Sequence, residues 1–167
     1  DLNKDTVDEL LTQWSQERPK MDVSPLGVVV RIQMLAKLLQ RRTTAALKKH
    51  GLKHWEYDVL SVLRRQGAPF ELSASEIADA ALLTSGAMTT RIDGLEQRGL
   101  VRRRPSKADR RSVLVRITAR GRTLVDAAIE SRLQDAVDAL SNSPRQEQRQ
   151  LADSLRELML GIDASHR

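Results

Sequence analysis

The densest chemistry in the chain lies between residues 101 and 122, VRRRPSKADRRSVLVRITARGR. Nine basic residues (Arg102, Arg103, Arg104, Lys107, Arg110, Arg111, Arg116, Arg120, Arg122) stand there against one acid, Asp109. That segment carries +8, so the other 145 residues carry −2 of the net +6. A basic stripe on a near-neutral protein implies a polyanionic partner. The plainer alternative is a solvated charged face. Elsewhere the material for catalysis is thin. The absence of cysteine excludes disulfides, thiolate metal sites and thiol nucleophiles, and fits a reducing cytoplasm. His50, His54 and His166 are the only histidines. The first two share a helix face only if the helix runs through Gly51, and no third ligand accompanies them. There is no glycine-rich phosphate loop and no nucleophile elbow. Neither an enzyme, a metal site nor a cofactor is expected.

The elements that must position the basic stripe are legible from periodicity. With 40% hydrophobic and 30% charged residues over 167 positions, the composition is globular and bounds the chain to one domain with appended helices. No apolar run approaches the ~18 residues of a membrane span, and the opening DLNKDTVDELL is too polar for a signal peptide. Thr6-x-x-Glu9 reads as a capping box before a short helix carrying Val7, Leu11 and Trp14, which Pro19 ends. Ser24-Pro25 starts a long helix with Val28, Ile32, Leu35 and Leu39 on one stripe, closed by Gly51. A helix from His54 to Arg65 carries Trp55, Val59, Val62 and Leu63, and Ser73-x-x-Glu76 caps a short one that follows. Another spans about Thr84 to Arg98, with Gly99 as its stop. The period then falls to two: Leu100 to Arg104 and Arg111 to Thr118 form a β-hairpin, with Val113, Val115 and Ile117 alternating. Thr118 caps a helix reaching about Leu140, and Ser143-Pro144 opens the last one.

Short helix, tight connection, second helix and basic hairpin make a winged helix-turn-helix over residues 52–118. On the second helix Met88, Ile92 and Leu95 share the core face, while Gly86, Thr90, Asp93 and Gln97 lie opposite. Ser85, Gly86, Thr89 and Thr90 are therefore the expected contacts to double-stranded DNA on this helix, with Gly86 allowing close backbone approach. Lys107, Arg110 and Arg111 on the hairpin are expected to meet phosphates or the minor groove. The helices in residues 1–50 and 119–162 have apolar stripes that so small a unit cannot cover. Pairing with a second copy would bury them and present two recognition helices to a two-fold, pseudo-palindromic operator. An intrachain bundle is the alternative. The expected class is mainly α with a small β wing (α+β).

Residues 83–122, LTSGAMTTRIDGLEQRGLVRRRPSKADRRSVLVRITARGR, resemble the MarR family of transcription factors. The Asp109-Arg110-Arg111 turn and Ile117-Thr118-x-x-Gly121 carry the resemblance, and the helix order matches over about residues 26–162. It implies a dimeric DNA-binding regulator tuned by a small ligand, with Asp109 and Arg111 bracing the wing and Arg110 or Arg111 at its tip. The extra N-terminal helix, the segment ERPKMDVSPLGVVVRI and the run SGAMTTRIDGLE further resemble the urate-responsive, PecS-type branch. That likeness implies a ligand site of Trp14, Asp58, Arg91 and Arg103. Thr90 and Gly94 depart from the branch, which usually carries asparagine and often arginine there. Both departures bear on operator choice.

The residues give separate support. Asp58 follows Trp55 by three and precedes Val62 by four, so a carboxylate sits in an apolar stripe and needs a partner. Arg91 lies about 55° from the centre of the core face on a 100°-per-residue wheel, nearer the core than the DNA side. Planar anionic urate suits a guanidinium and an aromatic wall. A structural Asp58–Arg91 pair is the plainer reading. The expected function is a cytoplasmic repressor released by urate or a similar anionic purine. The alternatives are a phenolic or organic-acid effector, or a sequence-tolerant architectural DNA-binding protein.

Overall fold

Seven helices and three strands follow one another among the residues described by this computed structural model, 4–81, 87–105 and 113–164. They are α1 (Thr6–Glu17), α2 (Ser24–Lys48), α3 (His54–Arg65), β1 (Glu71–Ser73), α4 (Ala74–Ala80), α5 (Met88–Gln97), β2 (Val101–Pro105), β3 (Val113–Ile117), α6 (Ala119–Ala139) and α7 (Arg145–Ala164). The mainly helical class with a small β wing is the expected one. No described helix is long and apolar enough to cross a membrane.

Two helix starts differ from expectation. The cap of α1 is Asp5, not Thr6. Its Oδ1 accepts the Val7 and Asp8 N–H groups at 2.9 and 3.2 Å, and Asp8 Oδ2 accepts the Asp5 N–H at 2.9 Å. A carboxylate meets the positive helix end better than a hydroxyl does. Likewise Asp22 accepts the Ser24 N–H at 3.0 Å, so Val23 takes the cap position and Ser24 becomes the first helical residue. The Ser73 box forms as expected, and the Ser73 backbone and side chain hold the Glu76 carboxyl below its ordinary pKa.

Strand β1 is the unexpected element, three residues too short to show a period. It pairs antiparallel with β3, giving the order β1-β3-β2 with Glu71 opposite Arg116 and Arg102 opposite Arg116 on the other side. Val115 and Ile117 enter the core, whereas Val113 is exposed. The core joins Leu47, Leu60, Leu63, Ile77, Met88, Ile92, Leu95, Leu100 and Val101, so α3, α4, α5 and the sheet close around one another.

Helix α6 starts where the sheet ends. Thr118 Oγ1 accepts the Gly121 N–H at 3.0 Å, and the Leu100 carbonyl accepts the Thr118 N–H at 3.0 Å. A Cβ on Gly121 would collide with that carbonyl and lie 2.8 Å from Ile117 Cγ1, so this turn requires glycine. Farther along, α6 packs on α3 and α2, tied by Arg64–Asp126 and Arg42–Asp135, both at 2.8 Å. Helix α1 lies along α2, where Arg31 grips Asp5 and Asp8 at 2.8 Å each. Helix α7 buries none of its residues.

Candidate nucleic-acid interface and effector pocket

Helix α5 turns Met88, Ile92 and Leu95 into the core, each at most 2% exposed, and leaves Thr89, Thr90, Asp93 and Gln97 on the outside. That is the expected division. Ser85 and Gly86, and the wing residues Lys107, Asp109, Arg110 and Arg111, lie outside the described residues.

Asp93 is not available to a base edge, although the helical wheel placed it on the outer face. Its carboxylate pairs with Arg103 Nη2 at 2.6 Å. Arg103 Nη1 also donates to Glu96 Oε2 at 2.7 Å, and the Arg103 N–H donates to Glu96 Oε1 at 2.8 Å. One strand arginine thus clamps two carboxylates one turn apart on α5 and joins β2 to that helix. The backbone N–H and then the guanidinium of Arg103 hold the Glu96 carboxyl below its ordinary pKa. Desolvation opposes the Arg103 charge, but Glu96 and Asp93 outweigh it and raise its pKa. The clamp neutralises acids that would otherwise repel DNA phosphates.

The other proposed ligand residues are only partly brought together. Asp58 Oδ2 lies 3.1 Å from His54 Nδ1, its neighbour one turn back on α3. Arg91 covers the ring of Trp55, with its guanidinium carbon 5.7 Å from the centroid. Its Nη1 is buried with no hydrogen-bond partner. The ring that Arg91 meets is therefore that of Trp55, not Trp14, which stands 47% exposed on α1. Gly94 faces the same indole: a Cβ there would lie 4.0 Å from its edge. By sequence Trp55 is only one residue of an apolar stripe. The two histidines at 50 and 54 take separate partners, His50 meeting Ser131 Oγ at 2.7 Å, because Gly51 (φ +63°) separates α2 from α3.

A further brace, which no sequence spacing signals, ties the end of α5 to α3. Arg98, just past α5, reaches buried Glu56 at 2.6 Å and the Gly51 carbonyl at 3.0 Å. Glu56 also accepts the Lys53 N–H at 2.8 Å, so one carboxylate caps α3 and anchors the end of α5.

A three-helix core, a braced second helix and a basic strand pair match known proteins. A family model described as "MarR family" matches residues 50–112. Over 145 residues the chain is 35% identical to the HTH-type transcriptional regulator PecS of Dickeya dadantii, covering 87% of each chain. The chain belongs to the MarR family. It is a DNA-binding winged helix-turn-helix transcriptional regulator, not an enzyme, and its likeness to PecS is consistent with the PecS-type branch. It is also 29% identical to the regulator MhqR of Bacillus subtilis, over 72% of this chain and 81% of that one. Among solved structures, the MarR-family regulator Sco5413 of Streptomyces coelicolor superposes with a TM-score of 0.71 at 26% identity, over 86% of this chain and 98% of that one. The fold is shared with Sco3205 of the same organism, solved in complex with DNA, at a TM-score of 0.75 and 21% identity, over 85% and 93% of the two chains.

In this MarR-family chain the second helix and the wing are not independent. Arg103 fixes the first wing strand against the exposed face of α5, so a displacement of one carries the other. Arg91 occupies the opposite situation on the same helix, a guanidinium partly buried beside an aromatic ring, with one nitrogen unsatisfied.

Proposed function

We propose that the protein is a cytoplasmic, homodimeric repressor released from a pseudo-palindromic operator by a small planar anion of the urate type. The carrying observation is Arg91 Nη1, buried without a hydrogen-bond partner while its guanidinium lies over Trp55. A buried unsatisfied donor costs about 1–3 kcal/mol, and an anion with an in-plane acceptor would remove that cost. Trp55 supplies the aromatic wall, Asp58 a polar edge, and Trp14 a cover brought by α1. Ser85, Gly86, Thr89 and Thr90 read the operator, Lys107, Arg110 and Arg111 hold its backbone, and Asp109 with Arg111 braces the wing.

Release follows from the Arg103 clamp. An anion beside Arg91 shifts α5, and the Arg103 bonds to Asp93 and Glu96 carry that shift to β2 and loosen the wing. The ligand must prefer this loosened state for the equilibrium to move. Dimerisation amplifies the change, because two recognition helices must match a ~34 Å repeat.

The test is a gel-shift titration of operator complexes with urate, using wild type, Arg91→Gln and Trp14→Ala. Wild type should release, while both variants should bind the operator within about threefold of wild type and lose most of the response. Indifference of wild type at millimolar urate would remove the ligand assignment. Variants that respond like wild type would remove the pocket.

A further inference from the structure

The outer face of the wing sheet carries a second concentration of unneutralised charge. Arg103 alternates onto the α5 side of β2, so Arg102 and Arg104 point to the opposite face, where register sets Arg102 beside Arg116. A cleft of about 550 Å³ opens there, lined by Arg102, Arg104, Arg116, Phe70, Thr118 and Arg122 among others. That volume lies within the range of small-molecule sites.

Charge balance in the cleft is one-sided. Arg104 has Glu71 at 3.3 Å. Among the described residues no carboxylate pairs with Arg102, Arg116 or Arg122. Like charges directly opposite across strands destabilise a sheet, and here Arg102 and Arg116 are such a pair. Phe70 is held at φ +60°, unusual for a residue with a side chain. Its ring is flanked by Arg122 at 5.0 Å and Arg64 at 5.4 Å. The first turn of α6, the positive end of a 21-residue helix, closes the cleft.

We propose that this cleft is an anion site for a soluble, multiply charged phosphate compound, separate from the effector pocket beside Arg91. Guanidinium forks suit phosphate oxygens, and three such groups outnumber the single carboxylate, Glu71. Arg103 also borders the cleft, but Arg102, Arg104 and Arg116 stand on the sheet face turned away from α5, so its occupant need not be the bound duplex. Because it spans β2, β3 and α6, a bound anion ties the wing to the helix that leads out of the DNA-binding lobe.

Inorganic pyrophosphate is the probe, titrated calorimetrically into the full chain without DNA. Wild type should bind, and Arg102→Ser with Arg116→Ser should weaken binding at least tenfold. Arg122→Gln alone should weaken it several-fold. Arg91→Gln, and a control lowering charge elsewhere by Lys37→Ser with Lys48→Ser, should stay within twofold of wild type. No binding by wild type at millimolar pyrophosphate overturns the proposal, as does an equal loss in the control. The remaining source of phosphate is the DNA backbone. The salt dependence of binding to a non-specific duplex separates it. An unchanged slope in the Arg102/Arg116 variant supports a soluble anion, whereas a slope reduced by nearly two, at ~0.9 per contact, assigns the face to DNA and overturns the proposal.

Discussion

Helices α3 and α7 carry similar apolar stripes and meet opposite fates. Six of the twelve residues of α3 are buried, in a core that α4, α5 and the sheet complete. None of the twenty residues of α7 is buried, and Leu151, Leu155, Leu158 and Ile162 stand 38–53% exposed. Helix α2 repeats the pattern, with Leu35, Leu38 and Leu39 about half exposed. A stripe specifies that a surface must be covered; it does not specify by what. The DNA-binding lobe finishes its core within one chain, while the helical ends leave their stripes uncovered, for the proposed second copy to bury. Exposed apolar patches of this kind mark association surfaces.

The largest expected effect breaks the ends and spares the lobe. Leu155→Arg with Leu158→Arg puts two charges into the proposed seam. Sedimentation should show monomer, while circular dichroism retains the helices of the lobe. Operator affinity should fall by about 10²–10⁴, since two half-sites are no longer bound as one linked unit. A stable dimer with wild-type affinity would assign α7 to some other contact.

A smaller effect is expected at the joint between the two regions. Gly121→Ala forces a methyl against the Leu100 carbonyl and Ile117. Overpacking of this kind costs about 1–3 kcal/mol. Urea melts at fixed protein concentration should show it as a lower midpoint with an unchanged slope. A cost below about 0.5 kcal/mol would mean that α6 can shift on the sheet, and that the lobe and the ends are less rigidly joined than this turn implies.

The lobe was more legible than its site. Met88, Ile92 and Leu95 were readable as core because helical period and apolar type agree, and Thr118 and Ser73 because a hydroxyl before a helix has few other uses. The N-cap at Asp5 was missed because Asp5 and Thr6 are two candidate caps side by side, and the outcome was decided by partners such as Arg31, 26 residues away. The start of α2 was missed because its cap residue, Val23, makes no side-chain capping bond. Strand β1 was missed because three residues show no period. At the site, the inward tilt of Arg91 followed from the wheel, but its contact with Trp55 depends on how α3 crosses α5. Arg103 gripping Asp93 and Glu96 joins a strand to a helix across the turn at Gly99, which spacing along one element cannot reveal. The resemblance supplied Arg103 as a functional residue without its two carboxylates.

The mildest test concerns α1, which Arg31 holds to α2 through Asp5 and Asp8. The Arg31 side chain holds the Asp5 carboxyl down to about 2 from its ordinary 3.8, against opposing desolvation and with help from the Asp8 and Val7 N–H groups. A carboxylate whose folded pKa is lowered contributes in full above its unfolded value and loses that contribution as pH falls through the folded one. The window therefore runs from about 3.8 down to about 2. Both side chains are substantially exposed, so salt should weaken the grip. With Trp55→Phe removing the other indole, the fluorescence of Trp14 reports α1 alone. It should change across that window, and Arg31→Gln should move the change to higher pH. Far-ultraviolet dichroism of the lobe helices should stay level until lower pH. If Trp14 and the lobe instead titrate together, with or without Arg31, α1 is held through the body of the protein rather than by this ion pair.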